Sequence, residues 1–129
     1  MTDLILPLIL ALTVKHFICD FPLQMDPWLY RNKGTYGHLG GLCHAGIHAE
    51  GTCLALLVVM PKVPESVGQI LCAALADGVI HYHIDWLKMR LNARWQLGPT
   101  TSEWFWVLLG ADQLLHGLTY IAIVWALVV

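Results

Sequence analysis

The chain has 129 residues, enough for one compact domain; 57% of them are hydrophobic and only 12% are charged. A soluble domain is about 25% charged, so this chain has too few polar groups for a water-facing surface, and its mean hydropathy of +0.62 makes membrane residence the first expectation. A formal charge of −2, with no basic patch carrying interleaved aromatics, excludes nucleic acid as an expected partner.

Four apolar stretches, at about 4–23, 41–60, 67–90 and 103–129, predict an all-α fold, a four-helix transmembrane bundle forming a single integral membrane domain over 1–129. Each is near the roughly 20 residues that cross a bilayer. The first begins almost at Met1, lacks a basic leader region and contains His16 and Asp20, so no cleavable signal peptide is expected. Pro7 falls in its first turns, where proline is tolerated, and Pro22 is expected to end or kink it. Residues 25–40, with Asp26-Pro27, Asn32, Gly34 and Gly37, read as a polar loop; residues 60–66 read as a tight link with two prolines; residues 90–102, with Asn92, Gly98 and Pro99, read as a third connection. Cys19, Cys43, Cys53 and Cys72 form no C-x-x-C motif or disulfide framework and are expected to be free thiols.

Each apolar stretch carries two ionisable residues four positions apart: His16/Asp20, His44/His48, His81/Asp85 and Asp112/His116. In a helix such a pair lies on one face, roughly 6 Å apart along the axis. A charge buried in a bilayer without a partner costs several kcal/mol, so one pair per helix points to a single polar site inside the bundle. The basic residues give an independent check. Arg31 and Lys33 lie in the first loop, Lys88, Arg90 and Arg94 in or near the third, and only Lys62 between the middle segments. Positive-inside topology puts the first and third connections in the cytoplasm and both termini outside, in what is expected to be a bacterial inner membrane. Trp28, Trp86, Trp95, Trp104 and Trp106 fall near the same boundary, as an aromatic belt would. With that topology all four pairs share one depth, near the cytoplasmic face.

The pairs supply five imidazoles and three carboxylates, enough for one or two divalent ions. Zinc suits the donor set best; manganese and iron also fit. Two such ions bring four positive charges against three aspartates, leaving a bound hydroxide or an anionic substrate to complete the balance. Water on the metal would be the nucleophile, with an aspartate or histidine not engaged by metal as general base. Gln24, Asp77 and Gln113 extend the same faces as groups that orient ligands. Arg31, Lys33 and Lys88 at the mouth are candidates for binding an anionic substrate group, a role that competes with membrane-edge snorkelling. A bland alternative, histidine–aspartate contacts that only join helices, competes for any single pair. His38 and His83 have no partner at matching spacing, and His83 is turned about 200° from His81.

The pattern His-x3-Asp-Phe-x2-Gln at 16–24, Arg-Asn-Lys at 31–33, His-x3-His at 44–48, His-x3-Asp-Trp-x-Lys at 81–88 and Asp-Gln-x2-His at 112–116 resembles a domain-of-unknown-function family of small polytopic membrane proteins from phages and bacteria. It is distantly similar to membrane-bound metal-dependent hydrolases, which implies hydrolase activity; their arginine-containing histidine motif has no counterpart here, where Ala45 follows His44. The leading expectation is a hydrolase acting on a lipid or other membrane-associated phosphoester. A divalent-metal or proton transporter or channel is a second expectation. A third is a phage protein, with or without self-association, that engages a host membrane protein.

Overall fold

The structure, a computed structural model, describes residues 2–60 and 67–128. Its helices are α1 (Ile5–Asp20), α2 (Pro27–Asn32), α3 (Leu39–Val59), α4 (Val67–Arg94) and α5 (Glu103–Val128). Among the described residues there is no strand. Helix α1 with its extension to Gln24, and α3, α4 and α5, are each long and apolar enough to cross a membrane. The chain is an all-α four-helix bundle with the composition of an integral membrane protein. The link expected over 60–66, with Lys62 of the orientation argument, lies outside the described residues beyond Met60.

The helix ends follow local chemistry. Proline cannot donate to the helical ladder; α1 stops at Asp20, and Pro22–Gln24 turns as a short 3-10 segment. The first loop is less irregular than expected, because Asp26 caps a short helix by accepting the Trp28 N–H at 2.7 Å and Pro27 opens it. His38 caps α3 by accepting the Gly40 N–H at 3.0 Å on Nδ1, so this unpaired histidine has a structural post. Helix α4 runs four residues past its expected end at Arg90.

The long helices form a ring in which α3 packs against α1 and α4, and α5 closes it against α4 and α1. Small residues allow close approach. A Cβ on Gly78 of α4 would lie 3.0 Å from the Ala49 Cβ and 3.1 Å from the Ala45 carbonyl oxygen of α3. Outward faces are apolar: Leu6 is 75% and Val58 78% exposed. Inside, Leu8, Leu12, Leu56 and Ile70 join Ile123, Val124 and Leu127 in an apolar plug at one end. The other end holds the buried polar groups. This inversion of the usual soluble pattern is what lipid as solvent selects.

Candidate metal centre

The buried stripes on the four helices run through both halves of the interior. On α1, Leu8 and Leu12 are followed at four-residue steps by His16 and Asp20; on α3, Leu56 is preceded by Thr52, His48 and His44. Helix α4 contributes Asp77, His81 and Asp85, and α5 contributes Asp112, His116 and Tyr120. All eight residues expected as ligands are buried, and they meet. Their antiparallel helices bring the C-terminal end of α1 beside the start of α3.

At the centre lies a compact set of donor atoms. His44 Nε2 is 3.1 Å from Asp20 Oδ1, 3.1 Å from Asp85 Oδ2 and 3.1 Å from His81 Nε2. His81 Nε2 is 3.5 Å from Asp20 Oδ1 and 3.2 Å from Asp85 Oδ2. His48 Nε2 is 3.2 Å from Asp20 Oδ1 but in no hydrogen-bonding alignment with it. For bonds of about 2.0–2.1 Å, a tetrahedral ion sets its donor atoms about 3.3 Å apart. Two imidazole nitrogens facing each other at 3.1 Å cannot both carry protons comfortably, whereas an ion between them uses both lone pairs.

A second grouping adjoins the first. His16, His81 and His116 offer atoms within 4.8 Å of one another, as do Asp20, Asp112 and His116. His116 Nε2 lies 3.5 Å from Asp112 Oδ1 and 3.8 Å from Asp85 Oδ1. His116 Nε2 and Asp112 Oδ1 are buried without a hydrogen-bond partner, a condition that costs about 1–3 kcal/mol per group. Asp20 and Asp85 therefore each present one oxygen to His44 and His81 and the other toward a further histidine, His16 at 3.3 Å or His116.

Not every expected ligand is equally open. Gln113 donates through Nε2 to Asp112 Oδ2 at 3.0 Å, with Asp20 Oδ2 at 3.5 Å, which turns its Oε1 to His16 Nε2 at 3.1 Å. The His16 Nε2 is then the donor, and its Nδ1 accepts from the Tyr120 hydroxyl at 2.8 Å. His16 is thus a hydrogen-bonded neighbour of Asp20 in this arrangement. Gln24 donates to the Asp20 carbonyl oxygen at 2.6 Å.

The lysines differ most from expectation. Lys33 is 2% exposed, its ammonium on Asp85 Oδ2 at 2.8 Å and on Gln24 Oε1; it is inside the bundle rather than snorkelling at its mouth. Lys88 donates to Asp112 Oδ2 at 2.9 Å and lies 3.4 Å from Asp85 Oδ1. Arg31 is exposed on α2. Lys15, passed over in the sequence, is buried beneath the histidines. It donates to Asp77 Oδ2 at 2.5 Å and lies 3.3 Å from the Tyr120 hydroxyl and 3.3 Å from His48 Nδ1. Thr52 also donates to Asp77, at 2.5 Å. The signal for Lys15 was available: a lysine well inside an apolar span is a functional candidate by default. Thr52 and Tyr120 were legible as the next four-residue steps after His48 and His116. His83 is exposed, against Tyr36 and the Val79 carbonyl, away from the centre. The four cysteines are free.

These lysines change the charge balance. Asp20, Asp77, Asp85 and Asp112 face Lys15, Lys33 and Lys88, so with neutral imidazoles the interior holds one net negative charge. Buried charge must nearly balance; one divalent ion with a hydroxide would close this ledger, and two would leave an excess of three that a dianion together with a hydroxide would close.

A cavity of about 230 Å³ adjoins the centre, with Asp20, Lys88 and Gln113 in its wall. The larger hollows, such as one of about 750 Å³ between α4 and α5, are apolar grooves on the outer faces. Residues 8–129 match the model of a family described as "Protein of unknown function (DUF3307)". No match was found among curated proteins or among solved structures.

Proposed function

The chain belongs to the DUF3307 family of unknown function, and from its interior geometry we propose that it is a membrane-embedded, metal-dependent hydrolase of a lipid or other membrane-associated phosphoester. The observation that carries this reading is the buried set of Asp20, His44, His48 and His81, whose donor atoms all lie within 4.8 Å of one another, close enough to share one ion. Asp85 Oδ2 borders this set, 3.1 Å from His44 Nε2 and 2.8 Å from the Lys33 ammonium. Asp112 and His116, with the second oxygens of Asp20 and Asp85, would hold a second ion. Zinc is the favoured metal, with manganese and iron as alternatives.

When bound, such an ion lowers the pKa of a water and polarises a phosphoryl oxygen. The protein does the rest. Lys88 stands at the cavity wall, where an anionic group would be oriented, and Gln113 beside it ties Asp112 to His16. His16 Nε2–H, beside Asp20 and Gln113, would hydrogen-bond a group that displaces the Gln113 oxygen without giving up its proton. Lys33 holds the Asp85 carboxylate, and Gln24 ties Lys33 to the end of α1. Transport is the weaker reading, because Leu8, Leu12, Leu56 and Ile70, all at most 1% exposed, fill the interior beyond the polar cluster.

We place the polar end at the cytoplasmic face of a bacterial inner membrane, with both termini outside, because Arg31, Arg90 and Arg94 lie at that end; thiol labelling of Arg31→Cys from the outside would overturn this. The central test is elemental analysis of protein purified in mild detergent without a metal-binding tag, followed by assay against lipid phosphoesters. One or two equivalents of a transition metal, with phosphoester turnover lost on chelation, support the proposal. No metal after incubation with zinc, manganese or iron would sink it.

A further inference from the structure

The hydrolase reading leaves open how a substrate reaches a centre enclosed by four helices. The cavity of about 230 Å³ lies where α1, α2, α4 and α5 meet. Its lining is mostly polar: Asp20, Gln24, Tyr30, Lys88, Asn92 and Gln113. Phe21 and Phe105 also line it, and Phe21 is half exposed on the bundle's outer face. Its volume is about that of seven or eight waters in the liquid, room for a phosphate and a few further atoms. An acyl chain has to remain outside.

Asn92 carries the second observation. It lies one helical turn beyond Lys88, continuing the α4 face that runs from His81 through Asp85. Its Oδ1 is buried and has no hydrogen-bond partner, an arrangement that costs about 1–3 kcal/mol unless something donates to it. Lys88, by contrast, is held on Asp112 at 2.9 Å and on Asp85 at 3.4 Å, which leaves one ammonium hydrogen for a ligand. The wall thus offers an ammonium hydrogen on Lys88 and one orphaned acceptor, the Gln113 amide being held on Asp112. A phosphate ester bearing a neighbouring hydroxyl or amine satisfies both.

We infer that this cavity is the headgroup site for a membrane lipid phosphate that enters sideways between α1 and α5, past Phe21 and Phe105, with its phosphate toward Lys88 and its chains left in the bilayer. The inference rests on the hydrolase reading only for what happens after binding. This route suits a lipid because Phe21, just past α1, and Phe105 and Leu109 of α5 line the cavity, so chains passing between them would desolvate no polar group.

The test is binding of short-chain phosphatidylserine and phosphatidylglycerol, each in detergent micelles, to the purified full chain, with inorganic phosphate and phosphatidylcholine run alongside. Asn92→Leu removes the orphaned acceptor, and Leu109→Trp fills the cavity from α5; thermal melts and metal content of both variants establish that the fold is intact. The expected result is saturable binding of at least one anionic lipid, weakened about tenfold or more in both variants, with inorganic phosphate a poor competitor. Inorganic phosphate competing as well as the lipid would overturn lateral entry and make the source aqueous. Equal lipid binding by the two variants and the unaltered chain would overturn the cavity assignment. Lipid binding that depends on Asn92 in a protein that takes up no metal would sink the hydrolase and keep the headgroup site; metal uptake with variant-insensitive lipid binding would do the reverse.

Discussion

Along each long helix, one face passes from an apolar end to a polar end without changing its burial. On α1 it goes from Leu8 and Leu12 to His16 and Asp20, and on α3 from Leu56 to His48 and His44. Leu56 and His48 are both 0% exposed, yet different forces hold them. Lipid is as apolar as leucine, so burying Leu56 inside the bundle gains dispersion contacts and little transfer energy. His48 has no such indifference: outside the bundle it faces hydrocarbon, and inside it meets Asp20 and Lys15. The apolar half can therefore lose atoms and stay assembled. The polar half is satisfied only as a set, which makes it the more fragile and the more specific part of the molecule.

The sharpest way to break the comparison is at the donor cage. Asp20→Asn or His48→Ala should lower metal affinity by more than about 100-fold, measured as metal per chain after dialysis against a weak chelator. His116→Ala should remove the second grouping while leaving the first able to load. Retention of full metal content by Asp20→Asn would show that the cage is only a hydrogen-bonded junction.

Next in size are the buried ion pairs. Lys15→Met leaves Asp77 with Thr52 but no counter-charge and should cost about 3–5 kcal/mol, read by reversible unfolding in mixed micelles. The double change Lys15→Met with Asp77→Leu should recover most of that loss, because no unpaired charge remains. Lys33→Met should destabilise the metal-free protein more than the loaded one, since an ion beside Asp85 would replace the missing positive charge. Equal losses in both states would separate Lys33 from the centre.

In the apolar half, Leu56→Ala should cost only about 1–2 kcal/mol, the cavity contribution without the transfer contribution of a water-soluble core, and should leave metal content unchanged. The smallest effect concerns stoichiometry. The charge balance predicts about one divalent ion per chain in buffer, rising toward two when a phosphate dianion is added. A constant two without phosphate would contradict the ledger of four aspartates and three lysines.

Much of this arrangement was legible in the chain. The four apolar stretches marked the long helices, and the four-residue spacings marked which side chains face one another, because helical periodicity is local. Pro22 and Asp26 set their helix boundaries for equally local reasons, although the short helix Pro27–Asn32 was read as loop. Lys15 was passed over and Lys33 was put at the mouth, because one hydrophobic stem serves a snorkelling lysine and a buried one alike. Their destinations depend on carboxylates on another helix: Asp77 is 62 residues from Lys15, and Asp85 is 52 from Lys33. The same limit applied to His16, which shares a grouping with His81 and His116 but whose hydrogen bonds are set by Gln113 and Tyr120, 97 and 104 residues away.

The sequence by itself determined that the helices exist, that they are apolar outside and that each turns one polar pair to a common side. Periodicity and composition are enough for that. Tertiary structure alone decided which nitrogen meets which oxygen, which lysine cancels which aspartate, and that a small cavity opens beside Asp20 and Lys88. Those are distances between helices, set by how closely Gly78 lets α4 approach Ala45 and Ala49, and chemistry at 3 Å depends on them.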